Sequence, residues 1–299
     1  MTRLLPAAAA LLLALPAHDL LAQARQSGGR DLDWTGRVRD GATVRVLTFN
    51  GDVTVTGGSG DAVVVQGRAR GSTEERERVT FEVIEHADGV TICARTEWQR
   101  CTEDGVENES RGGRNRSAGS ATLTVQLPRG ADLHASSGNG DVRVSSAGRD
   151  VRASSGNGDV EVRGAGGAVR ASTGNGPVTV TDAGRGVTAS SGNGRISVAT
   201  SEGPVKASTG NGAIDVRMAS LRGADDMEFS SGNGRITVRL PADFEGRLDL
   251  GTGHGDAYSD FPVTVQGRLQ RTRLQGTVGS GGPTVRLRTG NGDVEVRKN

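Results

Sequence analysis

The sequence predicts an all-β protein: a parallel β-solenoid, or β-helix, with rungs of about 18 residues and a less regular β region on its N-terminal side. Three observations predict it. The tripeptide Gly-Asn-Gly recurs with its asparagine at Asn139, Asn157, Asn175, Asn193 and Asn211, each 18 residues after the last, and returns at Asn233 and Asn291. Between these corners apolar and polar residues alternate with a period of two, the mark of strands with one buried and one solvated face. Glycine contributes 47 of the 299 residues whereas Phe, Trp and Tyr together make up 3%, so the core must be built from Val, Ile, Leu and Ala.

Residues 1–24 read as a signal peptide. Arg3 precedes an apolar run from Leu4 to Leu15, and "LAQA" ends at Ala24 in the small-x-small form of a cleavage site. The run is too short to span a bilayer, and no cysteine follows it to take a lipid. The expected mature chain starts near Arg25, has no transmembrane segment and is exported to the periplasm, the cell surface or the medium.

Residues 25–130 read as an irregular β region continuous with the solenoid. It holds an outlying copy of the repeat, "VRVLTFNGDVTV", with Phe49 where the other copies carry glycine. An insertion from 71 to 121 adds the charge run "STEERER", the pair Cys93 and Cys101, and a polar loop at 102–120 that is expected to be mobile. In an oxidising compartment two cysteines this close predict a disulfide. Trp98, between them, is either a contact on the loop or a cap on the core.

Residues 131–299 read as the regular repeats and a C-terminal cap. Stacking the copies aligns Leu133, Val151, Val169, Val187 and Val205, then Ala135, Ala153, Ala171, Ala189 and Ala207; beyond the corner Val142, Val160, Val178, Ile196, Ile214 and Ile236 align, as do Val144, Val162, Val180, Val198, Val216 and Val238. Each unit is strand, Gly-Asn-Gly corner, strand, then a looser corner such as "RGAGG". One unit cannot bury its apolar face alone, but stacked units can. The alanine column implies close walls, and Phe229, Leu250 and Leu287, which replace alanine only in the later copies, imply a wider cap. His254 fills an asparagine slot, and the last rung, "VRLRTGNGDVEV", is expected to close the array, the stacking order of these distant copies not being legible from the repeat.

The corner reads as architecture. Glycine, and to a lesser degree asparagine, supplies positive φ. Asn139, Asn157, Asn175, Asn193, Asn211 and Asn233 can form a hydrogen-bonded ladder along the stack. Ser or Thr two residues before each asparagine is expected to bond backbone in the same bend. A phosphate-binding loop would open a helix, and strands follow these corners instead. A calcium-binding nonapeptide repeat would need a carboxylate column, whereas Asp141, Asp159 and Asp293 alternate with Pro177, Arg195, Ala213 and Arg235.

The serial units "ASSGNGDV", "ASTGNGPV" and "SSGNGRI", the segment "SDFPVTV" and the closing "GSGGPTVRLRTGNGDVEV" resemble the DUF4097-type "putative adhesin" family of bacterial exported β-strand repeat proteins, over roughly Val44 to Val296. The resemblance implies an extracytoplasmic β-solenoid with an adhesive role and offers no catalytic residues.

Charge narrows the function classes. With 36 basic and 35 acidic side chains the net charge is +1, against a nucleic-acid binder that relies on a global positive field. The mature chain keeps His86, His134 and His254, none in a metal or triad spacing, so no catalytic residue, metal or cofactor is assigned and the protein is read as non-enzymatic. One outward row, Arg152, Arg170 and Lys206, interrupted by Thr188 and joined by Arg143 and Arg163, is the candidate contact for an anionic polysaccharide. The expected function is an adhesin or structural surface module of the cell envelope. The alternatives are a carbohydrate-active enzyme on a β-helix, which would show outward paired carboxylates, and a periplasmic scaffold or sensor binding an envelope protein.

Overall fold

The computed structural model describes residues 25–28, 31–108, 119–221, 225–265 and 270–299. The signal-peptide segment and the middle of the 102–120 loop lie outside the described residues.

Two large sheets face each other across the core, one strand of each rung in each sheet. The front sheet has 13 strands and the back sheet 12. Through the middle of the stack every front strand pairs in parallel with the next at a register of one rung: Val151 lies on Val169, Val169 on Val187, Asn157 on Asn175. The back sheet follows the same rule, with Val160 on Val178 and Val178 on Ile196. Identical spacing in sequence therefore puts like on like, and Val142, Val160, Val178, Val180, Ile196 and Ile214 are all at most 1% exposed. A fully buried valine contributes about 1.5–3 kcal/mol, and the columns repeat that contribution rung after rung.

The ends depart from chain order. At the N-terminal end Thr43–Asn50 stacks on Asp132–Asn139, so the Asn50 copy is a rung in register with the regular array. Gly89–Arg95 stacks on its other side, and Ser120–Leu127 completes that rung in the back sheet against Val53–Gly57. The insertion thus leaves the stack where the other rungs carry their Gly-Asn-Gly corner. Antiparallel strands finish both sheets here: Thr80–His86 and Arg25–Gly28 in front, Ala62–Arg70 and Asp31–Arg37 behind.

At the other end the last rung of the chain is not the last rung of the stack. Thr284–Asn291 inserts between Met227–Asn233 and Gly246–His254, and Val294–Lys298 between Ile236–Leu240 and Ala257–Ser259. The expectation that this segment closes the array is corrected: the His254 rung lies outside it, and the antiparallel strand Arg273–Val278 forms the front edge. In the column that holds alanine in the middle of the stack, this order places Leu287 between Phe229 and Leu250.

The alanine column also widens at the N-terminal end, where Val46 pairs with Ala135 and Ile92 with Val46. Large residues are therefore not confined to the later copies. The core is thin in the middle and thick at both ends, with Trp34 buried in the N-terminal end of the cluster. Trp98 is half-buried and belongs to neither core cluster.

The corners are built differently from expectation in two respects. Positive φ belongs to the second glycine, as at Gly176 (φ 140°), and among the described residues only Ser146 and Asp182 are non-glycine residues with positive φ. Asparagine therefore has no backbone role that glycine lacks. Its amide serves the ladder: Asn157 Nδ2 donates to Asn139 Oδ1, Asn175 to Asn157, Asn193 to Asn175, Asn211 to Asn193 and Asn233 to Asn211, at 2.7–2.8 Å. Asn139 donates in turn to Asn50, and Asn291 to Asn233. In the middle of the stack the hydroxyls before the corner bond the preceding rung, with Ser155 donating to Gly140 O, Thr173 to Gly158 O and Ser191 to Gly176 O, while Thr48 and Thr289 also donate within their own bend, to Asn50 O and Asn291 O. These hydroxyls point into the core and are at most 7% exposed, so a backbone carbonyl of a corner is the acceptor within reach.

Replacing Asn175 by aspartate removes the donor to Asn157 and sets two acceptors against each other. Stability is expected to fall by about 1 kcal/mol, read as a lower urea midpoint, whereas an unchanged midpoint would mean the exposed ladder contributes nothing.

Candidate polyanion-binding face

Five residues before each corner asparagine the front strands present an outward side chain. Register places Arg45 beside His134, His134 beside Arg152, Arg152 beside Arg170, Arg170 beside Thr188, and Thr188 beside Lys206. At about 4.8 Å per strand this row is about 24 Å long. Arg152, Arg170 and Lys206 are exposed, and Arg45 and His134 half-buried. None of these four cations makes an ion pair or side-chain hydrogen bond among the described residues. Arg45 Nη1 is buried without a partner.

The ground beside the row is flat and hydroxylic. Ser136, Ser154, Ser172, Ser190 and Ser208 form the next outward column, and Gly138, Gly156, Gly174, Gly192 and Gly210 the one after. A Cβ at Gly174 would stand 2.4 Å from the Gly156 carbonyl oxygen, so these rungs approach too closely for any larger residue. On the other flank Asp132 accepts from Arg149 Nε at 3.0 Å, and Asp150 Oδ1 from the Ala168 N–H at 2.8 Å. Both carboxylates take their hydrogen bonds from groups outside the row.

The row has defined ends. Thr91, next to Arg45, is fully buried and donates to Glu103 O at 2.6 Å. The small hairpin Gln99–Cys101 and Val106–Asn108 is tied to the outer face by the Cys93–Cys101 disulfide, packed with Ile84, Leu47 and Val106. At the far end Glu228 follows Lys206 in the column.

Arg143 and Arg163 do not join the row. They stand on the back sheet, because positions after the corner belong to the opposite wall, and each is paired: Arg143 Nη2 with Asp141 Oδ2 at 2.6 Å, Arg163 Nε with Glu161 Oε1 at 2.6 Å. Arg239 with Asp215 and Arg297 with Glu295 repeat the pattern. These four back-sheet arginines are neutralised locally, Arg217 beside Arg239 is not, and the front row has no partners among the described residues. Arg45 and His134 were missing from the sequence-predicted row, although counting five residues back from Asn50 and Asn139 finds both.

Burial, then Arg152 and Arg45, lower the pKa of His134 below its ordinary 6.5. Asp132 and Asp150 line the same hollow of about 300 Å³, together with Arg170. The unfolded chain binds this proton more readily, so His134 contributes stability above the unfolded value that is lost as pH falls through the window beneath 6.5. A bound polyanion offsets the repulsion, and affinity for a polyanion is expected to rise across the same window. Titrating binding from pH 7.5 down to 5 in wild type and His134→Gln checks this; equal pH profiles would contradict it.

His86 bonds Thr91 Oγ1 at 3.2 Å and His254 is exposed at the His254 rung. The three histidines thus lie on separate strands, Thr80–His86, Asp132–Asn139 and Gly246–His254. No helix among the described residues is long and apolar enough to cross a membrane.

No curated protein matches the sequence. Seven solved chains are similar to it, among them the following two. A "putative cell adhesion protein" from Clostridium sporogenes is 11% identical, with 90% of this chain and 100% of that chain covered and a TM-score of 0.26. A "putative adhesin" from Bacteroides fragilis is 12% identical, with 90% and 98% covered and a TM-score of 0.34. The family model of the Toastrack DUF4097 proteins matches residues 42–297, from the Asn50 rung to the last strand, and the chain belongs to that family.

Proposed function

We propose that the chain is an exported, non-enzymatic surface module of the cell envelope that holds an extended anionic polysaccharide along its front sheet. Residues 1–24 direct export and are removed; residues 25–130 cover the N-terminal end of the stack and residues 131–299 supply the repeated face. The observation that carries the reading is the row itself: Arg45, Arg152, Arg170 and Lys206 stand in one outward column of the front sheet without a carboxylate partner among the described residues, while Arg143, Arg163, Arg239 and Arg297 behind are matched with carboxylates. Unpaired like charges held one or two strands apart repel each other, and a polyanion relieves that repulsion. No aromatic side chain stands in the row or the serine column, so recognition rests on charge and hydroxyls and not on ring stacking.

The test is binding of the purified protein to acidic and neutral bacterial polysaccharides at low and moderate salt. The reading expects the acidic polymers alone to bind, more weakly as salt rises. Binding to neither class would refute it and favour an envelope-protein partner.

A further inference from the structure

A second site lies past Glu228, where the front sheet ends. A hollow of about 590 Å³ is lined by Arg247, Asp249, Gln275, Thr277, Thr284 and Arg286, with Thr264 at its rim. That volume is in the range of small-ligand sites. Its shape follows from the chain order at this end: Gly246–His254 lies between Thr284–Asn291 and the antiparallel edge strand Arg273–Val278, bringing side chains from three strands to one place. Thr264 crosses above, exchanging backbone hydrogen bonds with Thr277 at 2.8 and 3.0 Å.

Asp249 sits at the base and is 8% exposed. Its Oδ2 accepts from Arg288 Nη2 at 2.6 Å and from Arg286 Nε at 3.2 Å, while Oδ1 is buried with no partner. Burial raises its pKa, but Arg288 and Arg286 outweigh that and hold the carboxyl below its ordinary value, so it is an anion at neutral pH. A buried acceptor left unpaired is costly, and a ligand donor there removes the cost. Arg247, exposed on the same strand, makes no ion pair among the described residues.

These features select a ligand class. An ammonium group at Asp249 is opposed by Arg286 and Arg288, so the donor that fits is a neutral hydroxyl. A bare inorganic anion satisfies Arg247 but is repelled by Asp249. A hydroxyl and an anionic group on one small ring, surrounded by the threonine hydroxyls and Gln275, meet both demands. We propose that this hollow binds a single hexuronate residue, its hydroxyl donating to Asp249 Oδ1 and its carboxylate facing Arg247. The site is independent of the cation row, from which Glu228 separates it.

Saturation-transfer NMR on the full chain, with D-glucuronate and D-galacturonate as probes and D-glucose and D-galactose as neutral counterparts, tests it. The acidic sugars are expected to bind and the neutral ones to bind at least about tenfold more weakly, the loss of one charge-assisted contact. Arg247→Ala, an exposed change that leaves the fold intact, is expected to weaken uronate binding by a similar factor. Asp249→Asn keeps the shape but turns its oxygen to Arg286 and Arg288, presents an amide donor to the hollow and is expected to abolish binding. Arg152→Ser/Arg170→Ser/Lys206→Ser is expected to bind uronate as wild type does. Absence of uronate binding, equal binding of neutral sugars, or binding indifferent to Arg247→Ala and Asp249→Asn overturns the site whatever the fate of the polymer-binding row.

Discussion

Replacing Phe229 by alanine is expected to lower stability by about 3–5 kcal/mol, the usual range for emptying a buried phenylalanine position. Phe229 is fully buried and occupies the column that holds alanine in the preceding rungs, between Ala207 and Leu287. The two walls have already separated at this level: opposite the narrow rungs the back sheet carries Ala147, Ala165 and Ala183, while later rungs carry Met218 and Leu240. The backbone stack fixes the wall separation, so the space left by Phe229 cannot close by local collapse. The same change in the opposite direction is expected to hurt in the middle, where Ala171→Leu forces a larger side chain between close walls at a cost of about 1–3 kcal/mol. Chemical denaturation measures both. A loss below about 1 kcal/mol at Phe229 would mean that this end of the core is loosely packed.

The second large effect is functional. Arg152→Ser/Arg170→Ser/Lys206→Ser is expected to weaken binding to an acidic polysaccharide by about 10²-fold at low salt, on the basis of about 1 kcal/mol for each cation facing an anionic surface. Stability should be unaffected or slightly raised, because the three side chains are exposed and have no partners among the described residues to lose. Arg143→Ser/Arg163→Ser removes two cations of similar exposure but leaves Asp141 and Glu161 unpaired on the other wall, and binding should change little. Isothermal titration of both variants against one polymer separates a specific row from a general charge effect.

How far the sequence reveals this depends on the element. Period-two alternation fixes the inward face, since a slip of one residue would put Arg152 or Arg170 into the core, and the 18-residue spacing then selects the register that puts like on like. The wall on which a residue stands is harder to read. Arg143 and Arg163 carry the same charge as Arg152 and Arg170, and only the corner between them, which moves the chain to the other sheet, distinguishes the two sets. Rung order at the C-terminal end is not legible from the repeat, because Asn233, Asn291 and His254 occupy equivalent corners and any of their rungs could be outermost. The column Phe229, Leu287, Leu250 does not decide it either, because two of its members are the same residue, and the order is visible only in the assembled sheets. The uronate hollow was not legible either, because its residues come from three strands whose adjacency follows from that order.

The most direct measurement is residue-resolved reactivity of the arginines toward phenylglyoxal, read by mass spectrometry with and without a bound acidic polysaccharide. The proposed face predicts that the polymer shields Arg152 and Arg170 while Arg143 and Arg163 on the opposite wall react as before. Equal reactivity at all four with the polymer bound, or shielding confined to the back sheet, would contradict it.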